Sequence, residues 1–311
     1  MGLVWNIVLL LIGFVLLIKG ADFFVDGASG IADKFGIPQL VIGLTIVAFG
    51  TSAPEAAISI SAALKGSTGI AIGNVIGSNI LNVLMILGIT SCIVPLAVAK
   101  STVKVEIPFT ILISVVLVAY GAIFGEMNLI GGIILWILFI LFFVHLVRVS
   151  KNSETPVEEE SAKRSIISLI IFTLGGLVAI VWGSNLTVDG ATYVAKYFGV
   201  SDRIIGLTII AFGTSLPELI TSVTAARKGK ADIAIGNIVG SNIFNILFVL
   251  GTTALIATVP FAKKFIVDGL VCIGSVVLLY AAVAKDGKMG RKAGITMLVC
   301  YAAYFVYLVA A

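Results

Sequence analysis

Two glutamates embedded in apolar sequence are the residues of this chain best suited to chemistry. Glu55 ends the stretch Gly43-Leu-Thr-Ile-Val-Ala-Phe-Gly-Thr-Ser-Ala-Pro-Glu, and Glu218 ends its near copy Gly206-Leu-Thr-Ile-Ile-Ala-Phe-Gly-Thr-Ser-Leu-Pro-Glu. A second polar stretch follows each, Ala71–Asn82 and Ala234–Asn245. All pairs lie at one gapless offset of 163, and about 29 of the 46 positions from Gly43 to Gly88 are identical to their counterparts. A carboxylate near the centre of a bilayer costs about 3 kcal/mol on insertion scales, so it needs a partner. The central parts of these segments hold no Lys or Arg. The neutralising charge must therefore arrive from outside the protein, as a cation.

The spacing surrounds each acid with oxygen. Thr51, Glu55 and Ser59 are four apart and share one helix face, as do Thr214, Glu218 and Ser222. Asn74, Ser78 and Asn82 form a second stripe, matched by Asn237, Ser241 and Asn245. Pro54 and Pro217 lack an amide hydrogen and clash with the carbonyls of Gly50 and Gly213. The helix is expected to break at Gly50-Thr51-Ser52 and at Gly213-Thr214-Ser215, freeing carbonyls toward an ion. Gly73 and Gly77, like Gly236 and Gly240, have the spacing of close helix contact or of a second break. Oxygen ligands without imidazole or thiolate select Na⁺ and Ca²⁺ over Zn²⁺ or Cu⁺. An emptied site would hold two repelling carboxylates, so a proton or smaller cations must take the place of Ca²⁺.

Long apolar helices must position these groups. The chain has 311 residues, 59% hydrophobic and 12% charged, with mean hydropathy +1.18, a balance that predicts an all-α polytopic membrane protein. Apolar windows of spanning length fall near 3–28, 38–63, 69–90, 104–123 and 128–148, then near 165–190, 201–225, 231–257, 265–284 and 292–310. This predicts ten transmembrane helices. The first window lacks a cleavage pattern and has a counterpart near Gly175–Gly190, so it reads as a retained helix. Fourteen Lys and Arg residues fall on one side (Lys34, Lys100 and Lys163 among them) and five, including Lys65 and Arg203, on the other. The positive-inside rule makes the richer side cytoplasmic and puts both termini outside.

Five crossings is an odd number, so the second half enters the membrane from the opposite side. The expected organisation is two inverted five-helix repeats, 1–149 and 165–311, joined by a cytoplasmic linker at 150–164 that carries Glu154, Glu158, Glu159 and Glu160. Inverted repeats with broken helices meeting at the midplane are a transporter arrangement. Cys92, Cys272 and Cys300 lie in apolar segments and read as free thiols.

Gly-Thr-Ser-x-Pro-Glu followed by Gly-Asn-x-x-Gly-Ser-Asn, in both halves, resembles the paired repeats of the cation/calcium antiporter superfamily, and most of all its prokaryotic sodium/calcium exchanger branch. The resemblance implies Ca²⁺ ligation by Glu55 and Glu218 with carbonyl oxygens of Thr51 and Thr214. It implies Na⁺ sites that use Ala48, Ser78, Ala211 and Ser241, with Thr51, Thr214 and Asn82 nearby; Ser52 and Ser215, in the expected breaks, are further candidates. It also implies that the first and sixth segments slide across the other eight. Where several sodium/calcium exchangers carry an aspartate this chain has Asn245, which argues against K⁺ co-transport and leaves proton coupling as the alternative to Na⁺. The expectation is a Na⁺/Ca²⁺ antiporter of the cell membrane, working as a monomer, with transported ions and no cofactor. A cation channel would more often build its pore by oligomeric symmetry.

Other polar residues read more simply. Asp26 and Asp189 correspond in Val-Asp-Gly-Ala and are expected at opposite membrane faces, as helix-end or gating groups. Lys19 could pair with Asp22. His145, beside Arg148, reads as an interfacial tip. No nucleophile–base set, phosphate loop or nucleotide motif is present, so no enzymatic step is expected.

Overall fold

The computed structural model describes residues 2–66, 68–151, 164–200, 209 and 211–310. Eight helices within them are long and apolar enough to cross a membrane. They are α1 (Leu3–Phe35), α4 (Gly69–Ile93), α5 (Thr102–Phe124), α6 (Leu129–Lys151), α7 (Ile166–Tyr197), α10 (Ala231–Ile256), α11 (Lys264–Val283) and α12 (Arg291–Ala310). The pair α2 (Gln39–Thr51) and α3 (Ala53–Leu64), bent by 50°, makes a ninth candidate if it is counted as one span. The short α8 (Ala211–Gly213) and α9 (Leu216–Arg227) belong to the window expected near 201–225. The start of that window, with Arg203, lies outside the described residues, as do Lys163 and the linker glutamates. Eight to nine candidate crossings are thus described where the sequence predicts ten.

Local chemistry sets the ends of these helices. Gly36 closes α1 with φ 64°, a left-handed conformation that favours glycine, and Pro38 opens α2. Gly125 closes α5 in the same way with φ 71°. Two short antiparallel ribbons join the helix ends. Strand β1 (Leu96–Ala97) pairs with β4 (Lys288–Met289), and β2 (Glu126–Met127) pairs with β3 (Val259–Pro260). Each ribbon links one loop from either half of the chain.

The helices α1 and α7, of 33 and 32 residues, are about 50 Å long against a hydrocarbon core of about 30 Å. They pack antiparallel along their lengths through glycines spaced seven apart, Gly13, Gly20 and Gly27 against Gly176, Gly183 and Gly190. A Cβ at Gly20 would lie 2.9 Å from Gly176 O, and one at Gly183 would lie 2.8 Å from Gly13 O. Only glycine lets these backbones approach so closely. The core is built on α4 and α10, whose apolar windows are 72% and 94% buried, whereas the outer helices leave most of theirs exposed.

Several polar pairings differ from the sequence expectation. Asp22 meets Lys228 rather than Lys19, because the fold brings the α9–α10 turn against α1. His145 contacts the buried Glu106 at 3.4 Å, so it bridges α5 and α6 instead of standing alone. The three cysteines are free.

Candidate cation site

The bend of the α2–α3 pair falls at Ser52, between Thr51 at the end of α2 and Ala53 at the start of α3. Pro54 occupies the first turn of α3, where a missing amide hydrogen costs nothing. Glu55 shares that turn, so its carboxylate faces a helix N-terminus while the carbonyl end of α2 lies just across the bend. The first favours an anion and the second a cation. Pro217 and Glu218 take the same places at the start of α9, after Ser215.

The break changes one expectation. Thr51 and Glu55 lie on different helix segments, so the stripe through Ser59 is not continuous. The Thr51 hydroxyl turns back to Val47 O at 3.1 Å and across to Asn237 Oδ1 at 2.9 Å.

The two halves exchange partners at the carboxylates. Ser52 Oγ donates to Glu218 Oε1 at 2.8 Å, and Ser215 Oγ donates to Glu55 Oε1 at 3.3 Å. Ser78 Oγ also reaches Glu55 Oε1 at 3.3 Å and lies 3.2 Å from Ser215 Oγ. Thr214 sits beside Glu55, and Thr51 and Ser241 sit beside Glu218. Ser241 further contacts Ala48 O at 3.4 Å. Ala211 lies at the edge of the described residues. Both glutamates are fully buried, and no basic side chain is bonded to either among the described residues.

Asparagines fix the frame around them. Asn74 Nδ2 donates to Ser59 Oγ at 2.9 Å and Glu55 O at 3.2 Å; Asn237 Nδ2 donates to Ser222 Oγ at 2.9 Å and Glu218 O at 3.3 Å. These two hold the carboxylate-bearing helices in place. Asn79 and Asn242, which the sequence reading passed over, donate to each other's backbone carbonyls at 3.1 and 3.2 Å. Their side-chain oxygens also accept from Asn245 at 3.2 Å and from Asn82 at 3.1 Å. Both stand in the duplicated Gly-Ser-Asn, so the repeat itself could have singled them out. Wider π-helical turns begin at Asn82 and at Asn245, which the sequence did not foretell.

Four buried oxygens remain without a hydrogen-bond partner in this cluster: Glu55 Oε2, Glu218 Oε2, Asn82 Oδ1 and Asn245 Oδ1. They form two pairs at the repeat offset. The asparagine amides spend their donors on the opposite half, which leaves only acceptors. A buried acceptor without a donor costs about 1–3 kcal/mol, and a charged one more. Such an all-oxygen set fits a hard cation. A crevice of about 790 Å³ runs between α4, α11 and α12 and reaches Ser78 and Thr214 from the end of α11 that carries Lys264 and Asp268.

Known proteins resemble this chain in sequence and fold. The family model described as "Sodium/calcium exchanger protein" matches residues 5–148 and 168–310. The chain is 39% identical over 307 residues to the putative antiporter CaxA of Alkalimonas amylolytica, covering 96% of each chain. It is 33% identical to the sodium/calcium exchanger MaX1 of Methanosarcina acetivorans, covering 97% and 98%. It is also 39% identical to the inner membrane protein YrbG of Escherichia coli, over 80% of this chain and 79% of that one. Among solved structures, the sodium-calcium exchanger NCX_Mj superposes with TM-score 0.86 at 34% identity, over 98% of this chain and 99% of that one.

Proposed function

This chain belongs to the sodium/calcium exchanger family, and on that premise we propose that it is a secondary-active antiporter exchanging Ca²⁺ for Na⁺ at the site between its two halves. The four unpartnered oxygens carry this reading, since two carboxylates and two amide oxygens together suit a cation and no side chain of the described residues supplies one. Glu55 and Glu218 bind Ca²⁺, with carbonyls of Thr51 and Thr214. Ala48, Ser78, Ala211, Ser241, Asn82 and Asn245 lie where Na⁺ is held, and Ser52 and Ser215 position the carboxylates across the halves.

The chain divides into repeats 1–149 and 165–311 around a linker at 150–164, a division supported by the two blocks of the family match. The repeats are inverted, giving ten crossings with both termini outside. The ribbons agree with that topology, since each joins two loops on one side of the membrane. Likeness to YrbG supports the inner membrane as its location. The site draws on one chain alone, so a monomer suffices.

The deciding measurement is ⁴⁵Ca²⁺ uptake by Na⁺-loaded vesicles diluted into Na⁺-free buffer at fixed pH. Uptake should collapse when Na⁺ is also present outside. Uptake driven by a pH gradient alone, and not by Na⁺, would transfer the assignment to proton coupling.

A further inference from the structure

Lys228, in the turn between α9 and α10, donates to Asp26 Oδ1 at 2.8 Å and to Asp22 O at 3.0 Å. Its ammonium also lies 3.4 Å from Asp22 Oδ1. These bonds fasten α1 to the second half of the chain. Stepping back 163 positions turns Lys228 into Lys65, and stepping forward turns Asp26 into Asp189 and Asp22 into Asn185. Lys65 is exposed in the turn between α3 and α4, and Asp189 is exposed on α7. Among the described residues these two form no ion pair.

The packing shows the same asymmetry. Helix α1 lies along α9, while α7 makes no comparable contact with α3. Leu216, Pro217 and Thr221 on α9 are buried, whereas their counterparts Ala53 and Ile58 on α3 are exposed and Pro54 is half-buried.

We propose that Lys228–Asp26 and Lys65–Asp189 are two latches that close alternately during exchange, the first shut in this structure and the second shut in the opposite-facing state. The proposal rests on the inverted-repeat exchanger reading above. Because glycine contacts bind α1 to α7, the pair moves as one body. A single displacement would draw α1 away from α9 and bring α7 onto α3. Lys228 and Lys65 touch no transported ion, so they are positioning residues. The Lys228 latch has two carboxylates, Asp22 and Asp26, and the Lys65 latch has Asp189 with Asn185, which biases the resting molecule toward the Lys228 latch being shut.

The test uses the full chain in liposomes, with Cys92, Cys272 and Cys300 replaced and Ala57→Cys added on the exposed face of α3. The labelling rate by a membrane-impermeant thiol reagent from outside reports the open outer face. Partly exposed ion pairs shift such an equilibrium by about two- to fivefold. Lys228→Gln and Asn185→Asp should each slow labelling by that factor, Lys65→Gln should speed it, and the exchanged pair Asp26→Lys with Lys228→Asp should restore the parent rate. Lys228→Arg should label as the parent does. An unchanged rate in Lys228→Gln, or slowing that the exchanged pair does not repair, would overturn the latches. If Lys228→Gln does not fold, Asp26→Asn carries the same expectation. Labelling reads conformation whichever ion is carried, so a failed Na⁺ assignment in the flux experiment leaves this result independent.

Discussion

Glu218 and Glu55 end nearly identical stretches, yet they sit in unequal surroundings. Glu218 receives a 2.8 Å hydrogen bond from Ser52 and starts a helix whose first turns are buried. Glu55 receives two longer bonds of 3.3 Å and starts a helix with Ala53, Ala57 and Ile58 exposed. The residues that flank the two acids also differ, with Ala53, Ala57 and Ile58 standing where α9 has Leu216, Ile220 and Thr221. The difference in burial follows from where α1 and α7 lie, against α9 and away from α3. One motif, written twice on differing flanks, supports two packings, and a molecule that can trade them has the elements of alternating access.

The strongest way to break the comparison is to remove either charge. Glu55→Gln and Glu218→Gln should each weaken Ca²⁺ binding by at least ~30-fold and abolish exchange, because truncating one partner of a buried charge pair costs about 2–5 kcal/mol. Detergent-solubilised protein should still elute as a folded species. Near-normal ⁴⁵Ca²⁺ exchange by either variant would remove its glutamate from the site.

A smaller effect tests the packing itself. In a cysteine-free background, Ala57→Cys on α3 should react with an impermeant thiol reagent from outside about tenfold faster than Ile220→Cys on α9 reacts from inside, since an opening energy of about 1.4 kcal/mol corresponds to that factor. Equal rates would mean that the two halves are alike in solution.

The smallest expected change concerns Asn245. It is fully buried with a free Oδ1 and an amide already given to Asn79. Asn245→Asp adds a charge there at nearly constant volume. Its effect should appear as a severalfold change in the Na⁺ concentration that half-inhibits Ca²⁺ uptake, with a shift in Tm of only a few degrees. A large loss of Tm without any change in ion preference would make Asn245 a structural residue alone.

The membrane class, the long apolar helices, the repeat and the bend beside Pro54 were all legible in the sequence. Each depends on residues within one or two turns of one another. The polar stripes of Asn74, Ser78 and Asn82 could likewise be read from spacing. The link from Thr51 to Ser59 along one face could not survive the bend at Ser52, because a 50° turn takes the two groups onto different axes. The roles of Asn79 and Asn242 were hidden for another reason. Their partners lie 163 residues away, and no local period reports a contact at that distance.

The sequence by itself therefore determined the chemistry on offer: two acids, a ring of hydroxyls and amides, and no internal counter-charge in the segments that carry them. The tertiary structure decided who serves whom. It gave the serine of each break to the carboxylate of the other half, left four oxygens without donors, and fastened Lys228 while leaving Lys65 apart. Helix faces follow from backbone periodicity, which the sequence carries. Contacts between halves follow from how rigid helices dock, and two similar halves can dock unequally.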